Sequence, residues 1–312
     1  MARIGIIDCG TNTFNLLVAD ISVTGWTSVF NQKLPVKLQE GGFLDGGIRE
    51  VPFKRAVDAF TRLTELAKEK EVSTIHSFAT SAVREASNGT KLVEEIYKET
   101  KVTISIIDGQ QEADLIKKGV LQTVSLETTA LIMDIGGGST EFIIADQSTT
   151  YWQKSFRLGV SHLFEKIQPN DPMSDLDINR LRKELEHTLV PLQQALKQWP
   201  CDLLIGSSGS FDSIVDMIEH RWGSLNPEQL ARPILMGHFN WIYKHLIGTT
   251  REERVKVPGL KPIRADFIVI SMIFIQYMVK NLGLNNLHQS EYALKEGVIK
   301  ELQQQNPLWN NT

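Results

Sequence analysis

Two short stretches carry residue types that could handle phosphate. "IDCGTNT" (7–13) and "MDIGGGSTE" (133–141) each place an aspartate two residues before a glycine and follow it with hydroxyl side chains. Glycine in a strand interior costs stability and packs nothing, so three in a row at Gly136, Gly137 and Gly138 need another purpose. A glycine turn lets backbone N–H groups converge on an anion with no Cβ in the way. Thr11, Thr13, Ser139 and Thr140 add hydroxyl donors beside Gly10 and Asn12. The carboxylates repel phosphate and need a separate role. Asp8 and Asp134 could hold Mg²⁺ through water, since that ion keeps several waters and takes one or two carboxylates. Each could equally be a turn aspartate bonding its own backbone.

The two stretches echo each other. Laid over "MDIGGGSTEFIIAD" (133–146), "IDCGTNTFNLLVAD" (7–20) matches Asp8 to Asp134, Gly10 to Gly136, Thr13 to Ser139, Leu17 to Ile143 and Asp20 to Asp146. Both read as strand, Asp-x-Gly turn, strand. Because the agreement includes the apolar strand positions as well as the turn residues, it points to a duplicated domain with one hairpin opening each half. Two such hairpins facing each other would make a cleft.

The elements around them follow from periodicity. Strands are expected at 3–8 and 14–21, with a third within 26–38. "FKRAVDAFTRLTELAKEK" (53–70) has apolar residues at helical spacing. "STIHSFA", "KLVEEIYKE", "KVTISII" and "QQEADLIKKGVLQ" then alternate strand and helix, which implies a sheet with helices packed on it. From 129 the pattern restarts with three strands, then helices at 174–198, 208–220, 238–247 and 265–282 and a short buried strand, "DLLIG" (202–206). The expected boundary lies in the gap from 121 to 129, giving domains 1–124 and 125–297, with a C-terminal helix at 298–312 packing back on the first.

Bulk properties exclude several classes. The chain has 312 residues, 42% of them hydrophobic, and a formal net charge of −4, so it lacks the broad basic face of a general nucleic-acid binder. Cys9 and Cys201 have no metal-type spacing and are expected to be reduced thiols of a cytosolic protein. "MARIGIIDCG" opens on a strand pattern without the apolar run of a signal peptide. "FIVISMIFIQYMV" (267–279) is too short for a bilayer, which needs about 20 residues, and reads as a buried helix. The expectation is a cytoplasmic protein with neither nucleic acid nor membrane as partner.

The chain resembles the exopolyphosphatase / guanosine pentaphosphate phosphohydrolase family. The resemblance rests on "IDCGTNTFNLLVAD", "ATSAVREASNG" (79–89), "IDGQQEADLIKKGV" (107–120), "DIGGGSTEF" (134–142), "FRLGVSHL" (156–163), "IGSSGSFDSI" (205–214), "RADFIVIS" (264–271) and "SEYALKEG" (290–297), in that order. It implies an α/β fold of two duplicated actin-like domains, the ribonuclease H-like superfold of sugar kinases and chaperone ATPases, with an interdomain cleft. By the same resemblance Glu112 matches the catalytic base. Asp134 and Glu141 match carboxylates that assist the water or the metal, and Arg84 matches an arginine that grips phosphate. Gly10, Thr11 and Asn12 match the first phosphate loop; Gly136, Gly137, Gly138 and Ser139 match the second. Gly206, Ser208, Gly209 and Ser210 match a third. The departures are Asn15 for an arginine or histidine, Gln111 for the first of two glutamates, Ser271 for a glycine, and Ala293, Leu294 and Lys295 for Gly-Leu-Arg.

The implied activity is release of orthophosphate from the end of inorganic polyphosphate with Mg²⁺, or removal of the 5′-terminal phosphate of guanosine pentaphosphate. A nucleotide-binding sensor with little turnover is an alternative of another class; a homodimer is also among the family's expectations. The chain ends without the extra C-terminal helical domain of the long members, which points to shorter substrates or lower processivity. Hydrolysis needs a base within reach of the attacking water, and Glu112 falls in the first turn of a helix, where an acidic residue is also simply a favourable starter. Lys117, Lys118, Lys154, Arg157 and Lys295 are candidates for a cationic track. Arg264 and Asp266 are expected to pair locally, and His76 and His162 to be structural.

Overall fold

Residues 2–22, 24–42, 46–223 and 229–305 are described by a computed structural model. They fall into two units, one running to Gly119 and resuming at Leu294, the other Val120–Ala293.

In the first unit the apolar alternation of the N-terminus forms β1 (Ala2–Cys9), β2 (Thr13–Ser22) and β3 (Gly25–Pro35). α1 (Glu50–Glu69), β4 (Thr74–Ala79), α2 (Ser81–Glu85), α3 (Gly89–Thr100), β5 (Ile104–Ile106) and α4 (Gly109–Val120) follow. The sheet order is β3-β2-β1-β4-β5, with the hairpin strands antiparallel and β4 and β5 parallel to β1. α1 buries Ala56, Phe60, Leu63 and Ala67, one stripe at helical spacing. Phe60 meets Phe14 of β2 edge-on at 6.4 Å. Each large apolar side chain buried this way contributes about 1.5–3 kcal/mol. The third strand, expected within 26–38, stops at Pro35, because Val36, Lys37 and Leu38 turn back and donate their N–H groups to the carbonyls of Asn12 and Thr11.

The second unit repeats the plan. β6 (Ala130–Ile135), β7 (Thr140–Ala145) and β8 (Thr150–Phe156) lead into α5 (Val160–Ile167), α6 (Asp175–Thr188) and α7 (Val190–Gln198). β9 (Leu203–Ser207), α8 (Ser208–Trp222), β10 (Ala231–Ile234), α9 (Met236–Leu246), α10 (Arg251–Arg254), α11 (Ile268–Leu282) and β11 (Asn286–Ser290) complete it. α12 (Leu294–Gln305) returns to the first unit; the remainder of the helix expected at 298–312 lies outside the described residues. The sheet order is β10-β11-β9-β6-β7-β8, with β9 and β11 parallel to β6. α11 is the expected buried helix, and its Phe274 packs on Phe142 of β7.

The duplication holds at the level of register. Asp8 pairs with Asn15 and Cys9 with Phe14; Asp134 pairs with Glu141 and Ile135 with Thr140. The outer strand is shifted between Val18 and Ala19 in one sheet and between Ile144 and Ala145 in the other, the same place in each copy. The helix expected at 174–198 is two helices. Pro191, in the first turn of α7, has no N–H to continue the ladder, so the chain restarts there.

Candidate active site

The glycine run is clamped from one side. The carbonyls of Gly136, Gly137 and Gly138 accept N–H groups from Val160, from Ser161 and His162, and from Gly159, which lead into and open α5. Contact is backbone to backbone: a Cβ on Gly159 would lie 2.3 Å from the Gly137 carbonyl carbon. In a planar trans peptide the N–H points opposite the preceding carbonyl. With those three carbonyls turned to α5, the N–H groups of Gly137, Gly138 and Ser139 point away from it, a run of donors suited to an oxyanion. Thr140, fully buried, spends its hydroxyl on the Leu158 carbonyl at 2.9 Å and so secures the loop from within.

The first hairpin tip is built alike. Gly10 N–H donates to Thr13 O at 3.2 Å, as Gly136 N–H donates to Ser139 O at 3.0 Å. Residues 36–38 take the Thr11 and Asn12 carbonyls, so the N–H groups of Asn12 and Thr13 point away from that segment. Thr11 Oγ1 lies 3.4 Å from Ser81 Oγ at the start of α2.

Asp134 is buried, and its Oδ2 accepts from Ser207 Oγ at 2.8 Å and Ser208 Oγ at 2.7 Å. Ser208 holds this position at φ +67, a conformation that costs a non-glycine residue about 1 kcal/mol or more. Glu141, in register with Asp134, is buried on the same face and accepts from Ser155 Oγ at 2.7 Å. Two adjacent carboxylates are a donor set that Mg²⁺ accepts, with water completing its shell. Among the described residues no group of three or more His, Cys, Asp or Glu is placed to hold a metal.

Glu112 sits in the first turn of α4, whose start is fixed by a capping exchange. Asp108 Oδ1 accepts from the N–H groups of Gln110 and Gln111, and Gln111 Oε1 accepts from Asp108 N–H. A glutamine serves this cap as well as a glutamate would. Glu112 itself is buried, and its Oε2 lies 3.0 Å from Arg84 Nη1, which also donates to the Ile107 carbonyl at 2.7 Å. Among the described residues Arg84 Nε and Nη2 make no hydrogen bond, leaving donors on the fork. α12 presses on α4 at Gly297, where a Cβ would fall 1.8 Å from Leu115 O.

The family description of the Ppx/GppA phosphatases matches residues 17–306. The chain belongs to the Ppx/GppA phosphatase family. Its sequence is 26% identical over 303 residues to exopolyphosphatase 1 of Mycobacterium leprae, covering 95% of this chain and 88% of that one. It is 24% identical over 294 residues to the guanosine-5′-triphosphate,3′-diphosphate pyrophosphatase of Pseudoalteromonas translucida, covering 94% of this chain and 58% of that one. The crystal structure of an exopolyphosphatase from Cytophaga hutchinsonii superposes with a TM-score of 0.92 at 37% identity, covering 96% and 97% of the two chains. An Aquifex aeolicus member of the Ppx/GppA family shares the fold, with a TM-score of 0.80 at 21% identity and coverage of 98% and 99%. The two units are thus the actin-like α/β pair of this family.

Several Ppx/GppA motif residues have packing duties. Gly206 faces the Phe211 ring, which a Cβ would meet at 2.1 Å. Ser210 is buried and shares a hydrogen bond of 2.9 Å with Ser271. Asp266 pairs with Arg251 instead of the expected Arg264. The Arg264 guanidinium lies over Gly209 at the N-terminus of α8; burial lowers its pKa, opposed by the charges of Asp212 and Asp134. Its place over α8 depends on packing between residues 262–264 and that helix, which the spacing of Arg264 and Asp266 does not reveal. Of the expected cationic track, Lys118 pairs with Glu301, and Lys154 lies 5.2 Å from the centre of the Phe156 ring. Cys9 and Cys201 form no disulfide, and His76 and His162 have pKa values lowered by burial. No helix among the described residues is long and apolar enough to cross a membrane.

Proposed function

We propose that the protein is an exopolyphosphatase that hydrolyses the terminal phosphoanhydride bond of inorganic polyphosphate and releases orthophosphate. The Arg84–Glu112 pair carries the reading: it holds a buried carboxylate at a helix start beside a guanidinium with unspent donors. In the reaction Glu112 takes a proton from water as the water oxygen bonds to the terminal phosphorus. The anhydride P–O bond breaks, and its electron pair leaves on the shortened chain. Arg84 offsets charge on the phosphoryl oxygens, and the N–H groups of Gly137, Gly138 and Ser139 are a further set of donors suited to a phosphate. Asp134 and Glu141 would hold Mg²⁺, which supplies further charge neutralisation when bound. Asp8 is the poorer metal ligand because Lys295 and Lys33 lie close enough to act on its carboxyl. Support from outside the chain is its 37% identity to a protein described as an exopolyphosphatase.

The relative from Pseudoalteromonas translucida supports a second reading, guanosine pentaphosphate 5′-phosphohydrolase. The chemistry is the same and the handle differs. Phosphate release with Mg²⁺ from tripolyphosphate, long polyphosphate and guanosine pentaphosphate separates the two. Faster release from either polyphosphate is the expected result. Preference for guanosine pentaphosphate would favour the second reading, and release from none of them would favour a binding protein with little turnover.

A further inference from the structure

The duplicated register exposes a division of labour between the two hairpins. In the second unit the row across β6, β7 and β8 reads Asp134, Glu141, Ser155. The matching row across β1, β2 and β3 reads Asp8, Asn15, Lys33. Directly paired residues on antiparallel strands share a face, and both rows show it: Ser155 bonds Glu141, and Asn15 Nδ2 bonds Asp8 Oδ2 at 3.3 Å. One copy therefore presents two carboxylates and a hydroxyl. The other has replaced the second carboxylate with a neutral amide and the hydroxyl with an ammonium.

We infer that Lys33, with the first hairpin tip, binds the non-reacting phosphates of the substrate, an assignment that rests on the exopolyphosphatase reading. Three observations place the charge. Lys33 is exposed, while Asp8, Asn15 and Lys295 are drawn inward. Lys295 lies 3.8 Å from buried Glu296, so its charge is balanced locally. Asn15 is buried and neutral, and among the described residues its Oδ1 has no hydrogen-bond partner, so this row carries one carboxylate, Asp8, where its counterpart carries two. The tip two residues away directs the Asn12 and Thr13 N–H groups away from residues 36–38. An ammonium two residues along the strand from that turn suits a phosphoanhydride chain, which carries about one charge per phosphate; charge-assisted hydrogen bonds are the strong ones.

The test is calorimetric binding of tripolyphosphate without Mg²⁺, together with steady-state phosphate release, on four proteins: wild type, Lys33→Met, Lys33→Met/Asn15→Lys and, as a control for lost surface charge, Lys68→Met. Lys33→Met should weaken binding and raise KM about tenfold with kcat little changed, since the contact serves ground and transition states alike. Moving the cation one strand inward should recover most of that loss, and Lys68→Met should match wild type. If wild type binds tripolyphosphate and Lys33→Met binds it equally, the inference falls and the exopolyphosphatase reading stands. If wild type neither binds nor hydrolyses any polyphosphate, both fall.

Discussion

The Arg264 guanidinium occupies the space that a side chain on Gly209 would fill: a Cβ there would sit 1.7 Å from Nη2. A Cβ on Gly206, three residues earlier, would meet the Phe211 ring at a comparable 2.1 Å. The neighbours differ in what they can yield. An arginine can swing its far end aside, whereas a fully buried ring cannot move without opening the core.

Gly209→Ala should therefore fold nearly as well as wild type while displacing Arg264 from the neighbourhood of Asp134. Gly206→Ala should lose about 1–3 kcal/mol to overpacking. Thermal melts of the two variants beside phosphate-release rates check this. The expected outcome is a Gly209→Ala protein with a near-native Tm and reduced turnover, and a Gly206→Ala protein with a clearly lowered Tm.

Gly159→Ala probes the clamp behind the glycine run. Its Cβ would lie 2.3 Å from the carbonyl carbon and oxygen of Gly137 and 2.4 Å from that of Gly138, all backbone atoms. The loop must shift, turning the N–H groups of Gly137 and Gly138. The predicted result is about 1–3 kcal/mol of lost stability and a fall in turnover larger than that of Gly209→Ala, read from denaturant melts and initial rates.

Asp8 gives a pH-dependent prediction. Burial raises its carboxyl pKa above the ordinary value, and Lys295, the Asn15 hydrogen bond and Lys33 pull the other way without cancelling the rise. A carboxyl with a raised folded pKa binds its proton more tightly in the native state, so its contribution is present below the unfolded pKa and is lost as pH rises through the folded one. Asp8→Asn removes the ionisation. Relative to wild type it should be more stable at pH 7.5 than at pH 4.5, each kcal/mol moving Tm by about 2–4 °C. An equal Tm difference at the two pH values would contradict the assignment.

Much of this was legible in the chain. The echo of "IDCGTNTFNLLVAD" in "MDIGGGSTEFIIAD" foretold two hairpins because an Asp-x-Gly turn between apolar strands fixes both turn and register locally. β11 was missed because "NLHQS" has no apolar alternation and is a strand only through pairing with β9 and β10. α5 was missed as an element, and with it the reason for three glycines, since its hold on Gly136, Gly137 and Gly138 spans some twenty residues of chain. Contacts of that range leave no periodic trace. The same limit hid the placement of Arg264 and the burden that Ser207 and Ser208 carry for Asp134.

Glu112 is the residue on which the functional account turns. Glu112→Gln keeps the size and hydrogen-bonding reach of the side chain and removes its capacity as a base, so fold and tripolyphosphate binding should persist. Phosphate release from tripolyphosphate with Mg²⁺ should fall by about 10²–10⁴-fold, the usual contribution of general-base catalysis. Release by Glu112→Gln at the wild-type rate would contradict the account.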